Sequence, residues 1–135
     1  MHTAFETFRP KGFTSVNTYL FTENPQELID FLKAVFFAEE HSRVIGDGDL
    51  IRNCILQIGD TCIMIAQASG PFLGMRTALY LYVKDVDATY QRALEKGAST
   101  VFAAADMEFG DRQAGIQDVA GNYWWISTRL VKGSY

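Results

Sequence analysis

The chain has 135 residues, of which 48% are hydrophobic, 13% aromatic and 21% charged, which fits one compact globular unit and excludes disordered, collagen-like and coiled-coil chains. The formal charge is −4 and the basic residues are scattered singly, so we expect no nucleic-acid partner. The sequence contains no run of about 20 apolar residues, which is the length that predicts a membrane-spanning helix. The N-terminal residues lack the pattern of a secretory signal, so we expect a cytoplasmic protein without a membrane partner.

The first half of the sequence predicts a strand, a helix and three further strands. Residues 13–22 are rich in β-branched and aromatic side chains, and Asn24-Pro25 is typical of a helix start. Between residues 26 and 37, apolar residues recur at spacings of three and four, which is the period of an amphipathic helix. Turns that contain glycine then separate three hairpin strands, at residues 39–45, 50–58 and 61–67.

The second half repeats this order. Residues 77–83 predict a strand, Asp85 predicts the N-cap of a helix that runs to about Lys96, and Gly97 ends that helix. Three more strands are expected at residues 99–103, 111–118 and 122–130. We therefore predict an α+β fold and one domain over residues 1–135, built from two tandem βαβββ modules at about 13–68 and 76–130. The modules should form a curved mixed sheet around a cleft.

Three motifs in the second half identify a family. They are Tyr82 to Ala88, Phe109-Gly110-Asp111-Arg112, and Asp118 to Trp124, which contains Gly121-Asn122. The motifs resemble the vicinal oxygen chelate superfamily, which includes glyoxalase, extradiol dioxygenases and bleomycin-resistance proteins. The Gly-Asp-Arg segment ahead of the tryptophan motif is most similar to the PhnB-like branch, although Val119 stands where that motif usually has proline.

The resemblance also implies where a metal would bind. Metal-dependent members hold one divalent ion with two ligands from each module, and these positions correspond to Asn17, Ala78, Trp125 and, depending on register, Ile63 or Met64. Of these only Asn17 has a donor oxygen, and a neutral amide is a weak ligand. His2 and His41 lie at none of the four positions. We therefore expect no metal and no other cofactor.

Aromatic residues concentrate on strand positions that can face the cleft. They are Tyr19, Phe21, Tyr80, Tyr82, Trp125 and, on the opposite parity, Trp124. Either these rings line a pocket, or one parity of each strand packs beneath the helices. Arg112 has two interpretations as well: it binds an anionic ligand group in the cleft, or it fixes the start of the seventh strand together with Asp111. Cys62 is expected to be a small buried hydrophobe rather than a nucleophile.

The leading hypothesis is a metal-free protein that binds or sequesters a small organic molecule in an aromatic-lined cleft. The predicted ligand-binding residues are Asn17, Met64, Ala78, Tyr80, Arg112 and Trp125, and no catalytic residue is assigned. The alternative is a lyase, isomerase or dioxygenase with a relocated metal site or metal-free acid–base chemistry. A third hypothesis is a domain whose own side chains fill the pocket and whose role is association. The resemblance also implies a homodimer. The hydrophobic segments Phe36-Phe37 and 72–75 either contribute to its interface or are buried within one chain.

Overall fold

The computed structural model describes residues 8–135 of the chain. The secondary-structure elements follow the predicted order of strand, helix and three strands, twice over. They are β1 (Tyr19–Thr22), α1 (Pro25–Phe36), β2 (Glu39–Ile45), β3 (Ile51–Ile58), β4 (Thr61–Gln67), β5 (Ala78–Tyr82), α2 (Val86–Glu95), β6 (Ser99–Asp106), β7 (Asp111–Gln117) and β8 (Tyr123–Arg129). A short 3₁₀ turn, Asp47–Asp49, lies between β2 and β3.

The strands form two four-stranded mixed sheets, ordered β1-β4-β3-β2 and β5-β8-β7-β6. In each sheet the first strand pairs in parallel with the last strand of its module, and the other pairings are antiparallel. A parallel pair needs a crossover, and each module supplies one through its helix and hairpin. The predicted α+β fold of two tandem βαβββ modules is confirmed.

Each helix forms where the apolar spacing predicts it, but the two begin differently. In α1 the apolar face, including Leu28, Leu32 and Val35, is fully buried. Asn24 occupies the N-cap position of α1, as predicted, but its side chain makes no capping hydrogen bond. Asp85 is a true cap of α2, because its Oδ1 accepts a hydrogen bond of 3.0 Å from the Ala88 backbone N–H. Among the described residues, neither helix is long and apolar enough to cross a membrane.

One hydrophobic core joins the two modules. The ring of Phe36, at the end of α1, packs against the ring of Trp124 in β8 with centroids 4.8 Å apart. The guanidinium of Arg92 in α2 donates to the backbone oxygen of Val35 at the end of α1, through Nε at 2.9 Å and Nη2 at 2.6 Å. These contacts fix the position of one module relative to the other.

Two strands differ from the prediction by more than one residue at one end. β1 begins at Tyr19 rather than near residue 13, because Thr14 and Asn17 form a local turn in which the Thr14 N–H donates to Asn17 Oδ1 at 2.8 Å. β6 extends to Asp106, three residues beyond its predicted end at residue 103, and irregular pairing interrupts its register with β7. Neither change alters the order of the strands.

Candidate functional site

Each sheet has one face packed on a helix and one face turned away from it. In the second module, Trp124 and Ile126 of β8 are buried in the core, so the alternating residues Trp125 and Ser127 lie on the opposite face. We call this opposite face of each sheet its cleft face. Side chains on the cleft faces are the ones that can meet a ligand between the modules.

An aromatic row crosses the cleft face of the second module. Phe102, Gly115, Trp125 and Tyr80 are successive register partners on the four strands. Gly115 makes the row possible, since a Cβ there would lie 2.3 Å from Cε1 of Phe102. The phenylalanine ring therefore lies directly over the backbone of β7, beside Trp125.

A buried carboxylate organises the other end of the same face. Asp111 is fully buried and accepts hydrogen bonds from Tyr80 Oη at 2.9 Å, Tyr135 Oη at 2.6 Å and Arg129 Nη1 at 2.9 Å. Burial would raise the pKa of Asp111, but the bonds from Tyr135, Arg129 and Tyr80 outweigh it and hold that pKa below its ordinary value. The pKa of Tyr135 is raised in turn, first by its hydrogen bond to Asp111 and then by its hydrogen bond with Tyr82.

Gln113 extends this network to the neighbouring strand. Its Nε2 donates to Tyr80 Oη at 2.6 Å and to Ser127 Oγ at 2.7 Å. The Tyr80 hydroxyl is therefore held from two sides, by Asp111 as acceptor and by Gln113 as donor. The network fixes the Tyr80 ring in place at the boundary between the polar end of the face and the aromatic row.

The first module has a second aromatic surface on its cleft face. The Tyr19 and Phe21 rings of β1 stack with centroids 4.6 Å apart, and Phe72 continues the stack at 5.2 Å from Phe21. These three rings line a hollow of about 600 Å³ that also includes Ala66 and Arg52. We call Tyr19, Phe21 and Phe72 the aromatic stack.

Four predicted site residues lie on the cleft faces near the junction of the modules. Met64 is half-buried opposite Tyr19, whereas Ile63 is buried against the helix, so Met64 is the residue on the cleft face. Ala78 and Tyr80 line a gap of about 410 Å³ between β5 and the first module. Trp125 pairs with Tyr80, so Trp125, Tyr80 and Ala78 share one face.

The other two predicted site residues have different surroundings. Asn17 is exposed just before β1. Its Oδ1 accepts a hydrogen bond from the Thr14 N–H, and its Nδ2 donates to the Thr14 carbonyl oxygen. Arg112 bonds Asp87 of α2 through Nε and Nη2, each at 2.8 Å, and Asp106 through Nη1 at 2.9 Å. Arg112 thus lies on the helix side of β7, opposite Tyr80 and Trp125. This geometry corresponds to the interpretation in which Arg112 fixes the start of the seventh strand.

The four ligand positions of metal-dependent relatives do not fit a cation here. Met64, Ala78 and Trp125 offer no oxygen or imidazole ligand, and Asn17 already uses its amide oxygen in the turn with Thr14. Among residues 8–135, no three His, Cys, Asp or Glu side chains are grouped as a metal ion requires. His41 is exposed on β2, and His2 lies outside the described residues.

Several residues of the site were not identified from the sequence. Phe72 lies in a loop, Phe102 in a strand whose burial pattern is irregular, and Gln113 and Ser127 carry no motif. Gly115 in the middle of a predicted strand was the one available signal, since a strand glycine often marks a close approach by another group. Cys62 is buried, as expected of a small hydrophobe.

Comparison with known proteins identifies the family. The family model described as the Glyoxalase/Bleomycin resistance protein/Dioxygenase superfamily matches residues 12–126. The chain belongs to this superfamily. The family predicted from the second-half motifs is thereby confirmed. A relative in Mycobacterium bovis, an uncharacterized protein, is 33% identical over 121 aligned residues, which cover 82% of this chain and 80% of the relative.

Solved structures of the superfamily fold are also similar. TioX from Micromonospora sp. ML1 matches with a TM-score of 0.72 at 24% identity, covering 86% of this chain and all of TioX. A PhnB protein from Bacillus cereus matches with a TM-score of 0.67 at 13% identity, covering 85% of this chain and 99% of that protein. At these identities the likeness concerns the fold alone.

Proposed function

We propose that this superfamily member binds or sequesters a small planar organic molecule on its aromatic cleft faces. The observation that carries the proposal is the aromatic stack, because three rings in successive offset contact present an open apolar surface to a hollow of about 600 Å³. Hollows of this size are typical of small-molecule sites. The aromatic row of the second module, with Tyr80 and Trp125, supplies a second ring surface.

The exposure of these rings supports a binding role. Tyr80 is 45% exposed and Phe72 is 55% exposed, although both lie beside other aromatic residues. Large apolar surface in contact with water is unfavourable, and a contiguous patch of it usually marks a place where something binds. Stacking a planar ligand on such rings contributes about 0.5–1.5 kcal/mol per ring beyond the area buried.

Tryptophan fluorescence provides a direct test. Trp125 is half-buried on the cleft face and Trp124 is buried in the core, so a ligand in the cleft should quench Trp125 selectively. We expect saturable quenching with at least some members of a panel of planar aromatic compounds. In the Trp125→Phe variant, the remaining Trp124 should give little quenching, and calorimetry should show severalfold weaker binding.

Two results would contradict the proposal. One is the absence of saturable binding across the whole panel, both by quenching and by calorimetry. The other is unchanged quenching in the Trp125→Phe variant, which would place the ligand near Trp124 and away from the cleft faces.

We further propose that the chain functions as a homodimer in the cytoplasm. Leu73 and Met75 are each more than half exposed and follow Phe72 of the aromatic stack in the chain, where they form an apolar segment. Burial of such a segment between two copies would remove that surface from water. Analytical ultracentrifugation should give twice the chain mass, and Leu73→Glu should shift the equilibrium toward monomer. A monomer at all concentrations would contradict this proposal.

A further inference from the structure

A separate groove lies at the end of α1, where the two modules meet. It has a volume of about 570 Å³ and is formed by the C-terminal end of α1, the β3–β4 turn, the end of β5 and the first turns of α2. Most of its wall is apolar, with Phe37, Ile58 and Leu81 among its residues. Neither Trp125 nor the aromatic stack lines it. We call this cavity the helix-end groove.

Arg92 places a positive charge in the wall of the helix-end groove. Arg43, Arg112 and Arg129 each bond a carboxylate, whereas no carboxylate of residues 8–135 lies within ion-pair distance of Arg92. Its Nε and Nη2 both donate to the Val35 carbonyl oxygen. Both bonds use the Nε–Nη2 edge of the guanidinium. Nη1 makes no hydrogen bond within residues 8–135, so Nη1 and the second N–H of Nη2 can together donate to a carboxylate.

Phe37 is a second unusual feature of the groove. It ends α1 in the left-handed conformation, with φ 57° and ψ 35°, a position where glycine is ordinarily favoured. The side chain is 69% exposed, and the Arg92 guanidinium carbon lies 4.3 Å from its ring centroid. A bulky residue in a strained and exposed position gains little for folding, so the observation points to a use for the ring at the surface.

The remaining charges of the groove are Lys84 and Asp85. Asp85 accepts the hydrogen bond from the Ala88 N–H that caps α2, so its carboxylate is already engaged. With Arg92 and Lys84 against Asp85, the groove carries a net positive charge in a chain whose formal charge is −4. The local charge of the groove therefore favours an anion.

We propose that the helix-end groove binds an amphipathic organic carboxylate. Its apolar part lies against Phe37, Ile58 and Leu81, and its carboxylate receives two N–H donors from the free edge of Arg92. Tyr82 of the cleft face also lines this groove, but no residue of the aromatic stack does, so the proposal is independent of ligand binding at the aromatic stack.

Decanoate and decanol form a matched pair of probes, since they share an apolar chain and differ in charge. Calorimetric titration of the full chain should show saturable binding of decanoate and at least tenfold weaker binding of decanol. Arg92→Met keeps an apolar stem without the charge but also loses the bonds to Val35, so decanol affinity reports any change in the shape of the groove, and decanoate should weaken at least tenfold more than decanol. Arg52→Met is the control, because Arg52 lines the hollow at the aromatic stack and not this groove.

Phe37→Gly separates binding from folding. Glycine relieves the left-handed conformation, so the urea midpoint should not fall, while decanoate binding should weaken at least fivefold. Amide resonances of Gly59 and Thr89, which line the groove, should shift during the decanoate titration of the unmodified chain. Trp125→Phe should leave decanoate binding unchanged, which distinguishes this site from the cleft faces.

Four outcomes would overturn the proposal. They are no saturable decanoate binding, equal affinity for decanoate and decanol, a loss caused by Arg52→Met instead of Arg92→Met, and a loss of dimer mass in Phe37→Gly. The last result would mean that a second copy of the chain covers the groove.

Discussion

Replacing each of the two adjacent tryptophans by phenylalanine tests the assignment of faces on β8. Trp124 is 3% exposed and its Nε1 donates to Asp118 Oδ2 at 2.8 Å. Trp125 is half-buried on the cleft face, and its indole N–H makes no hydrogen bond within the described chain. The same substitution at neighbouring positions should therefore have very different effects on the free energy of unfolding.

The expected magnitude follows from these contacts. Trp124→Phe removes a hydrogen bond to a charged group, which contributes about 1.5–3 kcal/mol. It also leaves unfilled volume beside Phe36, for a further loss of about 1–2 kcal/mol. Asp118 keeps the bonds from the Ala120 and Asn122 N–H groups, so the carboxylate does not become unpaired. We expect a loss of about 3–4 kcal/mol for Trp124→Phe and less than about 1 kcal/mol for Trp125→Phe.

Urea denaturation followed by far-ultraviolet circular dichroism measures this difference without relying on tryptophan emission. With a slope of about 1–3 kcal/mol per molar urea, the midpoint for Trp124→Phe should fall by about 1–4 M. The midpoint for Trp125→Phe should stay close to that of the unmodified chain. Equal losses in the two variants, or a larger loss for Trp125→Phe, would refute the assignment of the two faces.

Three further predictions follow from individual contacts. Gly115→Ala should destabilise the fold by about 1–3 kcal/mol in urea, because the added Cβ would lie 2.3 Å from the Phe102 ring. Hydrogen bonds from Arg43, followed by Lys33, lower the pKa of Glu40 to about 2. The contribution of ionised Glu40 to the free energy of unfolding is therefore complete above about pH 4.5 and is lost as the pH falls toward 2. Glu40→Gln should remove about 1–2 kcal/mol of that acid-dependent stability. Arg112→Gln should leave affinity for a cleft ligand within about twofold in calorimetry, since Arg112 bonds residues on the helix side.

Each of these predictions has a control or a contrary result. Gly74→Ala should be nearly neutral, because the nearest atom to an added Cβ is 3.7 Å away, and equal effects at positions 74 and 115 would contradict the packing argument. Glu39→Gln, on the exposed neighbouring position, should keep the acid dependence that Glu40→Gln loses. A tenfold loss of ligand affinity in Arg112→Gln would restore the cleft role predicted for that residue.

Much of the fold was predictable because periodicity reports burial directly. The spacing of Leu28, Leu32 and Val35 placed α1 to within a residue at each end, and the repeat of the whole pattern placed α2. β1 was predicted too long because β-branched residues also occur in turns. There the hydrogen bonds between Thr14 and Asn17 outweigh strand propensity.

The candidate site was predictable only in part. Tyr80 and Trp125 alternate with core residues, so strand parity placed them on one face. Arg112 follows Asp111, and two adjacent polar residues at a strand start give no indication of which one faces the helix. The structure places Asp111 on the cleft face, where Tyr80, Arg129 and Tyr135 bond it, and this sends Arg112 to Asp87 on α2.

The amino-acid sequence by itself determined the two modules, their helices and strands, and the family, because these depend on local spacing and on short motifs. Only the tertiary structure decided which side chains meet across separate strands and helices. Phe102 lies over Gly115, and Arg92 reaches the Val35 carbonyl oxygen, through contacts between residues far apart in the chain. Such contacts depend on how the strands pair and how the modules pack, and no local pattern in the sequence specifies that arrangement.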